Sequence, residues 1–155
     1  MSVTVSGLYV ANIIDVLDAT QLAIDLSLTT HKIALLSNSA TPNFSTDASW
    51  SSTNEVSGTG WASGGVALSA AAAGATSTAP TLTESPTGSA MYDMNDVAVS
   101  STTLTNARAA RIYADALAGD NLIVLINFAA DFSTNNGTFG IQWASTGVFA
   151  IDLTP

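Results

Sequence analysis

The C-terminal third of the chain constrains the fold more than any other part. Residues 121–128, Asn-Leu-Ile-Val-Leu-Ile-Asn-Phe, are a mainly apolar run with β-branched side chains, the pattern of a strand buried on both faces. Residues 133–137 follow and contain Asn136-Gly137. Both residues tolerate positive φ, so the pair predicts a hairpin turn. Strict alternation comes next, with Phe139, Ile141 and Trp143 on one side and Thr138, Gly140 and Gln142 on the other. Ser145-Thr146-Gly147 predicts a second turn, and Phe149, Ile151 and Leu153 a last apolar row. Three strands joined by two tight turns make this end antiparallel. They also put the final residues in the core rather than in a tail.

Upstream, Val3 and Val5 begin a short strand or an extended arm over residues 1–9. Between residues 10 and 24 the period turns helical. Val10, Ile13, Ile14, Leu17 and Ile24 share a side, and Asn12, Asp15, Asp18 and Gln21 lie mostly away from it. Such a helix would plug one end of a β-sandwich. Residues 31–37 predict a strand with Ile33 and Leu35 on one face. The polar stretch 38–59 is a long loop, and its Phe44 and Trp50 read as anchors that pack it on something. Gly58 to Gly65 predict a tight corner around Trp61. The alanines 70–73 could be helical, but the flanking glycines and the Thr-rich stretch 76–83 favour a strand pair with small side chains. Pro86-Thr87-Gly88 marks a turn, residues 92–99 include a strand, and 107–113 form a strand or short helix. Ala118-Gly119-Asp120 then turns into the strand at Leu122. With no internal repeat and no linker, the expectation is one domain over 1–155. It is mainly β, an antiparallel β-sandwich or barrel-like unit over 31–155, with one short N-terminal helix.

Composition narrows the function. Only 10% of the 155 residues are charged, while 47% are hydrophobic. Polarity therefore comes from Ser, Thr and Asn. A free monomer normally keeps a charged surface of mixed sign, so few charges suit a subunit largely covered by neighbours. Twelve acidic residues face three basic ones, Lys32, Arg108 and Arg111, for a net charge of −9. That leaves no basic footprint for nucleic acid and no polybasic patch for an anionic membrane. With no cysteine, disulfides and thiolate metal sites are excluded. No run reaches the ~18–20 apolar residues of a spanning helix. The N-terminus lacks the basic segment of a secretory signal, so synthesis and assembly in the cytoplasm are expected.

No motif in the sequence marks a reactive constellation, although the members of a Ser–His–Asp triad need not be adjacent. The lone His31 has no cysteine to pair with, and no G-x-S-x-G elbow surrounds any serine. A single histidine before a strand reads as a surface or turn residue. The glycine segment is neither G-x-G-x-x-G nor a P-loop. Asp93, Asn95 and Asp96 miss the later positions of a calcium loop and could hold at most a weak interfacial cation. Asn43 and Asn136 match the glycosylation pattern, as chance allows in so Ser/Thr-rich a chain. Trp143 belongs to the core by its alternation. Trp50 and Trp61 are freer, and read as core or interface before sugar platform. No catalytic, cofactor-binding or metal-ligating residue is expected.

Residues 32–36 (Lys-Ile-Ala-Leu-Leu), the polar loop after them, and the block Glu55-Val56-Ser57-Gly58-Thr59-Gly60-Trp61-Ala62-Ser63-Gly64-Gly65-Val66-Ala67-Leu68 come in a recognisable order. Ala107-Arg108-Ala109-Ala110-Arg111-Ile112-Tyr113, residues 137–143 and Gly147-Val148-Phe149 continue it. This order resembles a family of small virion proteins encoded in the structural-gene region of tailed bacteriophages. The resemblance spans most of residues 30–153, and the glycine–tryptophan–glycine-pair block is its most specific piece. It implies a non-enzymatic particle component. The expected function is a capsid decoration or cement protein that binds the assembled major capsid protein and copies of itself, as trimers at threefold positions. The arm at residues 3–9 and the loop at 38–59 are the expected lattice contacts. A tail or baseplate subunit is the alternative, and a carbohydrate-binding module using Trp50 and Trp61 a second one.

Overall fold

A computed structural model describes residues 3–9, 12, 14, 16, 22–71 and 80–154. The fold is mainly β, as expected, and every strand pair is antiparallel. The larger sheet runs in the order β1 (Gly7–Leu8), β8 (Asn121–Ile141), β7 (Val97–Ala114), β2 (Lys32–Leu36), β3 (Glu55–Val56), and β4 (Val66–Ala67) also pairs with β2. The smaller sheet is β5 (Thr81–Glu84), β6 (Ser89–Asp93) and β9 (Phe149–Asp152) in that order. Among the described residues neither sheet closes on itself, so the barrel form is excluded.

The hairpin of β7 and β8 is the backbone of the molecule. Its strands are 18 and 21 residues long and meet at the turn between Ala114 and Asn121. Five register shifts interrupt the ladder. Four of them carry a residue at positive φ on the strand with the surplus: Ser101 (57°) and Asn106 (56°) in β7, Ala129 (62°) and Asn136 (48°) in β8. A bulge of this kind bends a strand and increases its twist. The long hairpin therefore curls, and Val97, Phe139 and Ile141 from its far end join the same core as Ile33 and Ile112.

Period 2 sorts the central strands into two cores. Ile33 pairs with Ile112 and Ile112 with Val124, on a face completed by Leu35, Ala110, Trp61, Leu68 and Phe139. The intervening positions Ala34, Leu36, Ala109, Tyr113, Leu122 and Leu125 form the second core, closed by Val3, Tyr9 and Ala40. Both faces of β2 are therefore covered, which explains its unbroken apolar run.

Four expectations need correction. Most of the helix expected over 10–24 lies outside the described residues. Asn12, Ile14 and Val16 have helical backbone, but residues 22–24 do not, and no N-terminal helix is delimited there. Asn136-Gly137 is not a hairpin turn but a bulge inside β8, with Gly137 paired to Thr102. Its tolerance of positive φ serves a bulge as readily as a turn. The alanine stretch opens as a helical turn, α1 (Leu68–Ala71), where alanine's own propensity prevails; residues 72–79 lie outside the described residues. Finally, the last apolar row is not core. Phe149 and Ile151 are half-buried and Leu153 is 71% exposed. β9 borders the small sheet, and only its first two apolar positions reach the interior.

Candidate functional site

His31 is buried rather than at the surface. Its Nε2 donates to the Asp25 carbonyl at 2.7 Å, and its Nδ1 is buried with no partner among the described residues. Burial pushes its pKa below the usual value of 6.5, against the pull of Asp25. Among the described residues no carboxylate accepts a hydrogen bond from its ring. Asp25 itself is occupied locally: Ser27 donates to its Oδ1 through both N and Oγ, which holds its carboxyl below the usual range.

The glycine block builds the corner expected of it. Gly58 and Trp61 exchange backbone hydrogen bonds of 2.9 and 3.1 Å, and the Trp61 side chain is fully buried, edge-on to Phe139. Glu55 fixes the other limb, accepting from the Gly64 amide at 2.6 Å and the Ser63 hydroxyl at 2.9 Å. Tyr113 Oη donates to the Gly64 carbonyl at 2.5 Å. The Gly64 amide and carbonyl are both taken by side chains of the fold, and the buried Trp61 Nε1 has no partner among the described residues, so the block is a structural corner and not a phosphate cradle.

The aromatic residues of the 38–59 loop anchor it to its own chain. Trp50 stacks on Tyr113 with ring centroids 5.0 Å apart and planes 4° from parallel. Phe44 packs against Tyr9. With Trp61 buried and one face of Trp50 covered, the two tryptophans present no shared platform for a sugar. The segment 3–9 likewise lies on its own sheet: Gly7 and Leu8 pair with Leu125 and Val124, and Val3 and Tyr9 are fully buried. Trp143, as expected, faces inward, its Nε1 donating to the Asn95 carbonyl at 2.9 Å. Asp96 Oδ1 accepts from the Trp143 amide. The Asp93–Asp96 segment thus ties two loops together, and no group of three or more metal-ligating side chains occurs among the described residues.

Apolar surface is what the site residues leave over. Leu82 (51% exposed) and Leu153 border a depression of about 400 Å³ on the small sheet, beside Ala90. All four residues of β5 are exposed. The charge on that strand is tied to its own hairpin, since Glu84 Oε1 accepts from the Gly88 backbone amide at 2.9 Å. A second depression of about 360 Å³ is lined by Phe128, Phe132, Phe139 and Ile141, with Phe132 half-exposed. Sequence reasoning missed both. Phe132 sits on the wrong side of the Ala129 bulge for a simple alternation to place it. Leu82 lay in the Thr-rich stretch read only as a small-residue strand.

Charge pairing is equally specific. Lys32 Nζ lies 2.8 Å from Asp115, and Arg108 Nη1 3.1 Å from Asp131. Arg111 is in neither pair and is only 7% exposed, its guanidinium 5.2 Å over the Tyr9 ring. Burial pushes the Tyr9 hydroxyl up to about 12, with Arg111 opposing the rise. Reading 107–113 as a strand with inward Ala109 and Tyr113 would have placed Arg111 between them in the interior. Among the described residues no helix is long and apolar enough to cross a membrane. Comparison with protein-family models, with curated proteins and with solved structures found no match to this chain.

Proposed function

We propose that this chain is a non-enzymatic structural subunit of a bacteriophage virion, its two sheets arranged as a sandwich that lies against other subunits. The most specific form of the proposal is a capsid decoration protein that binds the assembled shell of major capsid protein and stabilises the head. The carrying observation is β5, which ends its sheet without a further strand among the described residues, with Leu82 and Leu153 around its depression. An uncovered strand edge with apolar neighbours is a surface that free monomers usually blunt with charge. Here the surface is hydroxyl-rich and only 10% of the chain is charged. The sequence resemblance to phage virion proteins supports the same reading. A protein that binds only the assembled shell stabilises that shell by mass action.

The test is reconstitution onto particles purified without the protein, followed by heating and measurement of DNA release. Complete particles are expected to hold their DNA to a higher temperature. The double variant Leu82→Ser, Leu153→Ser is expected to fold with stability within ~0.5 kcal/mol of the parent, as exposed positions allow, yet to lose binding. Equal release temperatures with and without bound protein would remove the cement role. Density for the chain on the tail of a reconstructed particle would replace it with a tail or baseplate role.

A further inference from the structure

We propose that the pocket at Arg111 is a recognition site for a carboxylate. Strand β7 sets Arg111 between Ala34 of β2 and Leu125 of β8, on the face of the second core. The residue is only 7% exposed, and its Nε is buried with no hydrogen-bond partner among the described residues. Among the described residues it joins no ion pair, whereas Lys32 and Arg108 each have an aspartate. A buried cation without a bonded anion is unfavourable, and the Tyr9 ring beneath it offsets only part of that cost.

Beside the guanidinium lies a depression of about 180 Å³. Its walls carry the hydroxyls of Thr41, Ser49, Ser51 and Thr53, together with Asp47. The volume suits a carboxylate on a short stem. A guanidinium fork matches the two oxygens of a carboxylate, and the hydroxyls of Thr41, Ser49 and Thr53 can donate to the lone pairs left over, while Ser51 Oγ donates to Thr53 Oγ1 at 3.1 Å. Asp47 is held in place by the Asn43 amide, which donates to its Oδ2 at 2.9 Å. Its charge admits a monoanion more readily than a dianion such as phosphate, because repulsion scales with the charge brought in. The carboxylate comes either from a small free acid or from an Asp or Glu side chain of a second copy of this chain, which has 12 such residues.

The experiment follows the Arg111 Nε–H resonance of the ¹⁵N-labelled full chain. Sodium acetate is titrated against sodium chloride at equal ionic strength. A saturable shift with acetate alone, at a Kd of ~1–50 mM, is the expected result for a free acid. A shift in chloride alone that grows with protein concentration identifies the second copy as the source. Asp47→Asn removes the competing charge and is expected to tighten the interaction about threefold or more. Arg111→Lys, which loses the fork, is expected to abolish it. The proposal is overturned if acetate and chloride act alike, concentration has no effect, and Asp47→Asn changes nothing. That outcome leaves the virion role standing, since particle binding through Leu82 and Leu153 does not involve this pocket.

Discussion

Gly64 and Gly65 offer a clean separation of backbone strain from steric collision. Both have positive φ, +82° and +78°, so an alanine at either meets the same left-handed penalty of about 1–2 kcal/mol. Loss of glycine's freedom in the unfolded chain returns about 0.4–1 kcal/mol in each case. Their surroundings differ. A Cβ on Gly64 would find Tyr113 Oη at 3.7 Å, an ordinary contact. A Cβ on Gly65 would stand 2.3 Å from the Ile33 carbonyl oxygen and 2.9 Å from Ala34 Cα, inside the backbone of β2. A strand bonded to β3, β4 and β7 cannot yield cheaply, and overpacking of this kind adds about 1–3 kcal/mol. Gly64→Ala should therefore cost ~1 kcal/mol and Gly65→Ala ~3 kcal/mol. The gap of ~2 kcal/mol corresponds to a Tm difference of ~4–8 °C for a domain of this size. Denaturant unfolding followed by tryptophan fluorescence reads it directly, because Trp61 sits in the same corner. Equal stabilities for the two variants would refute the claim that this corner is pressed onto β2.

Two further predictions concern pH. His31 has a folded-state pKa below 6.5, so between those values the unfolded chain binds a proton that the folded chain refuses. Stability should fall as pH drops below about 6.5, and His31→Gln should flatten that slope in urea titrations; an unchanged slope would show that His31 is protonated freely. Tyr9, Tyr92 and Tyr113 all titrate above their ordinary value of 10, chiefly through burial. Ultraviolet titration of the native protein should therefore show no tyrosinate forming near pH 10, with stability falling as pH rises beyond that point, and a tyrosine that ionises near 10 would contradict the buried positions described above.

Much of the fold was legible because local chemistry and tertiary need agreed. Residues 33–36 alternate between two buried faces, and their apolar run reads as a strand. Trp61 among its glycines announced a corner, and Ser145-Thr146-Gly147 a turn, with Gly147 at φ 75°. The absence of cysteine likewise removed thiol chemistry on composition alone. It could not separate a bulge from a turn. Asn136 at positive φ satisfies either, and the choice depends on whether the flanking segments find partners along one continuous strand, here Leu104 with Thr134 and Thr102 with Gly137. Nor could it place Leu153, because an alternating row is buried only if another layer covers it.

The sequence by itself determined a sparsely charged, cysteine-free, antiparallel β protein, since those properties follow from residue types and period. Tertiary structure alone decided that His31 lies inside, that Trp61 is sealed away from ligands, and that a small polar pocket opens beside Arg111. Burial and pairing belong to what the remote strands bring alongside a residue, and no local pattern encodes that neighbour.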